Sequence, residues 1–151
     1  MNQDSSHSAT CLFCRIGARS VPSHDVFDNA RIFAFLDIHP IRPGHVQIIP
    51  KRHYDYFDDL PKKLAAEILG LGQEIARVQK KIFGVERVGF LFTGGDVAHA
   101  HAHVVPLVTG TDITSRRYIA ETRLTFRDAP RAANADLAQI ASEISGELQQ
   151  P

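Results

Sequence analysis

The chain has 151 residues, 44% of them hydrophobic, and carries 17 basic residues against 17 acidic ones, which suits one domain with one core. The balanced charge gives no electrostatic basis for a nucleic-acid groove or an acidic membrane surface, since both call for a basic excess. No apolar run reaches the roughly 18 residues needed to span a bilayer, and residues 1–10 are polar, without the apolar stretch of a secretory signal. The expectation is a cytoplasmic protein with a flexible tail over 1–10 and a single domain over 11–151.

Cys11 and Cys14 open the domain as Cys-Leu-Phe-Cys and are its two cysteines. In a cytosolic chain this spacing favours metal or redox use over a structural disulfide. A thioredoxin-like use would need a preceding strand and a βαβ context, and neither is evident. Arg31–Asp37, apolar and aromatic, predicts a strand. His39-Pro40 and Arg42-Pro43-Gly44 predict a turn, and His45–Ile49 a second strand stopped by Pro50. Residues 61–82 predict a helix, because Leu64, Ile68, Leu71, Ile75, Val78 and Ile82 recur at spacings of four and three. Asp58 or Asp59 is expected to cap it, with Pro61 in its first turn and Gly84 at its end. Val88–Thr93 predicts a strand, Gly94-Gly95 a turn, and Ala98–Val105 a further strand. Residues 110–130 carry no clear pattern, and Ala135–Leu148 reads as a closing helix. Strands following strands, with one long helix between them, give an α+β fold with an antiparallel sheet.

Three of the eight histidines lie in one pentapeptide, His99-Ala100-His101-Ala102-His103. On a strand this period of two puts the three rings on one face, roughly 6.6 Å apart, with Ala100, Ala102 and Val104 on the other. A solvated edge strand is one reading, but three imidazoles on an apolar strand each need polar partners. A metal site is the second, since His-x-His on a strand supplies two ligands. Nucleophilic catalysis is the third, because neutral imidazole is a good nucleophile near pH 7.

The string His99–Val105, histidines alternating with apolar residues, resembles the signature of the histidine triad superfamily. Other segments match in order. Cys11-Leu-Phe-Cys14-Arg-Ile is similar to the N-terminal opening of many bacterial members. Ala34-Phe35-Leu36-Asp37-Ile38 resembles the family's ribose strand, and Arg42-Pro43-Gly44-His45-Val46 with Ile48–His53 the next strand and its exit. The resemblance covers about residues 11–107. It implies an antiparallel sheet of about five strands with one long helix and a C-terminal helix, and a homodimer. It also implies cleavage at the α-phosphorus of a purine nucleotide conjugate, as a nucleoside phosphoramidase or dinucleoside polyphosphate hydrolase does, through a nucleotidyl-histidine intermediate.

On that resemblance His101 is the nucleophile, flanked by His99 and His103, with His45 and His103 near the phosphate. Asp37 would hold the ribose hydroxyls, as a carboxylate does through charge-assisted hydrogen bonds. Phe33 and Phe35 belong to the strand beneath the base, and Asp96 and Val97 fall in the loop beside the substrate. Cys11, Cys14, His53 and His99 match a zinc-binding set of the bacterial members, a closed Cys2His2 structural site; no metal is required at phosphorus. The sequence departs from the family before the triad. Thr93-Gly94-Gly95-Asp96-Val97-Ala98 runs directly into His99, Gly95 stands where a glutamine is usual, and Asp96 replaces Ser, Thr or Glu. Slower turnover is the expectation, with Arg116 and Arg117 as candidate cations. A nucleotide-binding or regulatory module with little turnover, and a metallohydrolase built on His-x-His, are the rival readings.

Overall fold

The computed structural model describes residues 10–110, 112–113 and 128–149; the expectations for residues 1–9 and for Arg116 and Arg117 fall outside them. The apolar, partly β-branched runs form strands as the patterning predicts. The elements, in order, are helix α1 (Leu12–Gly17), strands β1 (Asp25–Asp28), β2 (Ile32–Leu36) and β3 (Val46–Pro50), a 3-10 turn (Phe57–Asp59), helix α2 (Lys62–Phe83), strands β4 (Arg87–Phe92) and β5 (Ala102–Leu107), and helix α3 (Asn134–Leu148). The strands pair antiparallel in the order β1-β2-β3-β5-β4, the expected α+β architecture.

The apolar stripe of α2 does what its spacing dictates. Leu64, Ile68, Leu71, Ile75 and Val78 are buried and pack with Leu137, Ala141 and Ile144 of α3 against Ile32, Ala34, Leu36, Val46, Ile48, Ala102 and Val104 of the sheet. Each large side chain buried this way contributes about 1.5–3 kcal/mol. Gly84 ends α2 in the left-handed conformation, φ 64°, and its N–H bonds to the Lys80 carbonyl. Neither Asp58 nor Asp59 caps the helix. Both are drawn into the 3-10 turn, where the Asp59 carboxylate accepts from the Tyr56 N–H, and Pro61 takes the N-cap position without a side-chain bond.

The opposite sheet face carries a smaller cluster of Phe13, Ile16, Phe33, Phe35 and Ile49, with Cys11, Val21 and Val97 packed against it. Here α1 lies against β3. Strand β1, which the sequence reading missed, is held at its ends by charge: the Arg19 guanidinium bonds Asp25 at 2.6 Å and Asp28 at 2.7 Å, and Lys51 pairs with Asp28.

The strand expected over Ala98–Val105 starts later, at Ala102. Strand β5 meets β3 only from Ala102 to Val104. Before it, the backbone finds other partners: the Ala100 N–H bonds the Tyr54 carbonyl at 2.7 Å, and the His99 carbonyl accepts from the His101 ring. His99 and His101 therefore precede the ladder and only His103 lies within it. The alternation of faces survives, with Ala100, Ala102 and Val104 in the main core.

Candidate functional site

The side of the sheet facing α1 gathers four of the eight histidines into two groups. In the first, Cys11 and Cys14 at the start of α1 meet His53, which follows β3, and His99. The Sγ atom of Cys11 is 3.4 Å from His99 Nδ1, and that of Cys14 is 3.3 Å from His53 Nδ1 and 3.5 Å from His99 Nδ1. All four ligand atoms lie within 4.8 Å of one another. Both imidazoles are pinned from behind: His99 Nε2–H donates to the Pro50 carbonyl at 2.9 Å and His53 Nε2–H to Asp55 at 2.8 Å. These bonds leave both Nδ1 lone pairs converging with the two sulfurs, as metal ligation requires. A tetrahedral centre with sulfur at ~2.3 Å and nitrogen at ~2.1 Å has sulfur–nitrogen edges of about 3.6 Å, close to those found here. The residues fit a Cys2His2 metal site. Burial raises the Cys14 thiol to about 12 and lowers His99 to about 4, which keeps that thiol protonated and that imidazole neutral unless a cation is present.

The second group is Asp37, His45 and His103. One main-chain hydrogen bond fixes the tautomers of both rings. The Ile41 N–H donates to His45 Nδ1 at 3.2 Å, so in neutral His45 the proton sits on Nε2 and is donated to His103 Nδ1 at 2.9 Å. His103 then carries its proton on Nε2 and donates to Thr93 Oγ1 at 3.1 Å. Burial keeps this chain neutral, lowering His45 below the usual imidazole range and His103 to about 4. Asp37 lies beside it; its Oδ1 accepts from the His39 N–H at 2.8 Å and its Oδ2 from Gln47 Nε2 at 2.6 Å.

His101 sits between the groups. Its ring centroid is 4.9 Å from that of His103 and 5.0 Å from that of Phe13, which also stands 5.9 Å from His99. Nδ1–H donates to the His99 carbonyl at 2.7 Å, leaving the lone pair on Nε2, which has no hydrogen-bond partner among the described residues.

The remaining expected residues fall around these groups. Phe35 shares a row across the sheet with Gln47 and His103, while Phe33 lies in the next row against Ile49. Phe33 is fully buried, with the Arg19 guanidinium 5.3 Å from its ring centroid. Val97 packs half-buried against the cluster that contains Phe33 and Phe35. Asp96 is exposed, and its charge acts on His103.

Sequence reasoning missed several supports. Gln79, fully buried on α2, donates to the carbonyls of Gly44 at 2.8 Å and Val104 at 3.0 Å. It thereby clamps the backbone next to both His45 and His103. Gly44 has φ 87°, and a Cβ there would strike the Phe83 ring, so the approach to His45 requires glycine. Asp112 accepts from Nε and Nη2 along one edge of the Arg42 guanidinium and from the N–H groups of Val108 and Thr109. That tethers the exit of β5 to the turn before His45. Gln47 was legible only as a polar residue inside an apolar run.

Fold and site define an α+β protein with a row of histidines beside a Cys2His2 ligand set. The HIT domain model matches residues 18–110, and the chain belongs to the HIT family. It is 27% identical over 140 residues to an uncharacterized HIT-like protein of Methanocaldococcus jannaschii, covering 90% of this chain and 99% of that one. It is 29% identical over 107 residues to the adenosine 5'-monophosphoramidase of Saccharomyces cerevisiae, covering 70% of this chain and 68% of the yeast protein. Among solved structures, a zinc-bound histidine triad family protein from Mycobacterium smegmatis superposes with a TM-score of 0.70 at 26% identity, covering 93% of this chain and 94% of that one. No helix among the described residues is long and apolar enough to cross a membrane.

Proposed function

We propose that the protein is a nucleotide hydrolase or nucleotidyl transferase acting at the α-phosphorus of a purine nucleotide conjugate, with His101 as nucleophile. The observation that carries this reading is the 2.7 Å bond from His101 Nδ1 to the His99 carbonyl. It fixes the ring and leaves an unprotonated Nε2 to attack. In the first step Nε2 bonds to phosphorus and the leaving group departs with its bonding pair. In the second, water attacks phosphorus and the phosphorus–nitrogen bond breaks, releasing the nucleoside monophosphate. The His45–His103 chain ends on Thr93, whose hydroxyl accepts the His103 Nε2–H and is left to donate its own hydrogen to a phosphoryl oxygen. Asp37 holds the ribose hydroxyls, Phe35 lies beneath the base, and Val97 closes the apolar side. The similarity to the yeast phosphoramidase favours a nucleoside phosphoramidate as substrate.

Cys11, Cys14, His53 and His99 are assigned to zinc with a structural role, tying α1 to the histidine segment; metal-ligating thiols suit a reducing cytoplasm. Strand β4 ends the sheet among the described residues, and we assign that edge to pairing in a homodimer. A second reading, a binding module with little turnover, draws on Gly95, which stands where a glutamine is usual, and on the Asp96 charge that acts on His103. Steady-state assays with adenosine 5'-phosphoramidate and a set of dinucleoside polyphosphates, run beside AMP binding, separate the two. Turnover of at least one of them supports the enzyme, and tight AMP binding with no turnover of any supports the module.

A further inference from the structure

Among the described residues three buried side-chain oxygens lack a partner, on Gln47, Glu67 and Gln79, and of these Gln47 lies on the strand between Phe35 and His103. It is 8% exposed and is the second residue of β3, flanked in sequence by Val46 and Ile48. Its side-chain amide has only one possible orientation. Nε2 donates to the Asp37 carboxylate at 2.6 Å, and turning the amide over would set oxygen against oxygen. Oε1 is consequently fixed, buried, and without a hydrogen-bond partner among the described residues. An orphaned buried acceptor is destabilising, and such groups persist where a ligand or ordered water returns the missing donor.

The sheet register says which part of a ligand reaches it. Phe35, Gln47 and His103 are directly opposed neighbours on β2, β3 and β5, each step about 4.8 Å. A nucleotide with its base at Phe35 and its phosphate at His103 puts its sugar over Gln47. Phosphate is ionised at neutral pH and offers little to a carbonyl oxygen, whereas a sugar hydroxyl is a donor. Asp37 and Gln47 Oε1 are adjacent acceptors, which matches the adjacent donors of a vicinal diol.

We propose that Gln47 is a specificity-determining residue whose side-chain carbonyl accepts a hydrogen bond from a ribose hydroxyl, so that Asp37 and Gln47 together select ribonucleotides. This rests on the nucleotide reading of the same site. The test is calorimetric binding of AMP, 2'-deoxy-AMP, 3'-deoxy-AMP and the 2',3'-dideoxy nucleotide to the purified full chain. The wild type is compared with Gln47→Leu and Gln47→Met, which remove the acceptor at similar size. Both variants should bind AMP about tenfold more weakly, with a much smaller loss for one of the two monodeoxy nucleotides and for the dideoxy nucleotide. In an Asp37→Ala background Gln47→Leu should still weaken AMP several-fold, which a Gln47 that merely orients Asp37 would not do. Equal losses across all four nucleotides, or no loss in the Asp37→Ala background, overturn the role of Gln47 while leaving the nucleotide reading standing. A wild type that binds none of the four overturns the nucleotide reading itself, and this proposal with it.

Discussion

The two histidine groups on this sheet face use the same side chain in opposite ways. In the Cys11, Cys14, His53 and His99 group each imidazole donates outward, to Pro50 or Asp55, and its lone pair points inward at two thiols. In the Asp37, His45 and His103 group the rings bond each other head to tail, and the chain ends on Thr93. Asp37, His45 and His103 also come within ligand distance of one another. Yet the His45 and His103 nitrogens that face each other already share a proton, and His45 Nδ1 is occupied by a main-chain donor. Spacing alone therefore does not separate a metal site from a hydrogen-bond relay; the direction of the second ring nitrogen does. His101 belongs with the relay, its Nδ1 held and its Nε2 open.

If this division holds, variants on the two sides should separate chemistry from stability. The largest effect is expected for His101→Ala: turnover falls by at least about a thousandfold, while metal content and melting temperature stay near those of the wild type. Cys14→Ser should do the reverse. Metal analysis should fall from about one zinc per chain to near none and the melting temperature should drop by ~10 °C, with turnover at saturation largely kept. Metal-free wild-type protein with the same melting temperature as the loaded form would break the assignment. On the relay side, Asp37→Ala should weaken ribonucleotide binding by about 1.5–3 kcal/mol and scarcely affect a nucleotide lacking both hydroxyls.

The relay also carries a pH signature. His103 is held at about 4 in the fold, chiefly by burial, against 6.5 ordinarily. Between those values the unfolded chain binds the extra proton, so the His103 contribution is fully present above about pH 6.5 and lost as pH falls toward 4. Denaturant midpoints measured across that window should slope downward with acid, and less steeply in His103→Asn. The smallest effect concerns Asp96, whose charge reaches His103. Asp96→Ser should lower KM for anionic substrates, and added salt should narrow the difference by screening. An unchanged or higher KM would mean that this carboxylate faces away from the substrate.

Much of this was legible in the chain because local pattern and tertiary demand agree. The α2 stripe, the Gly84 stop and the apolar runs of β2 and β3 are one-dimensional signals, and the His99–Val105 alternation located the site. What escaped depends on partners distant in sequence. The β1 strand is only Asp-Val-Phe-Asp, and its ion pairs come from Arg19 and Lys51. The displaced start of β5 depends on Tyr54 taking the Ala100 N–H. Gln79 sits beside an apolar stripe and gives no hint in sequence that it bonds the carbonyls of Gly44, next to His45, and Val104, next to His103.

The most direct test of the account is to look for the covalent intermediate. Wild-type protein mixed with adenosine 5'-phosphoramidate, quenched within milliseconds in alkaline denaturant to protect the phosphorus–nitrogen bond, and digested, should yield an adenylylated peptide containing His101. The adduct should be missing in His101→Ala. Turnover with no adduct at any quench time, or an adduct on His45 or His103 that persists in His101→Ala, would contradict it.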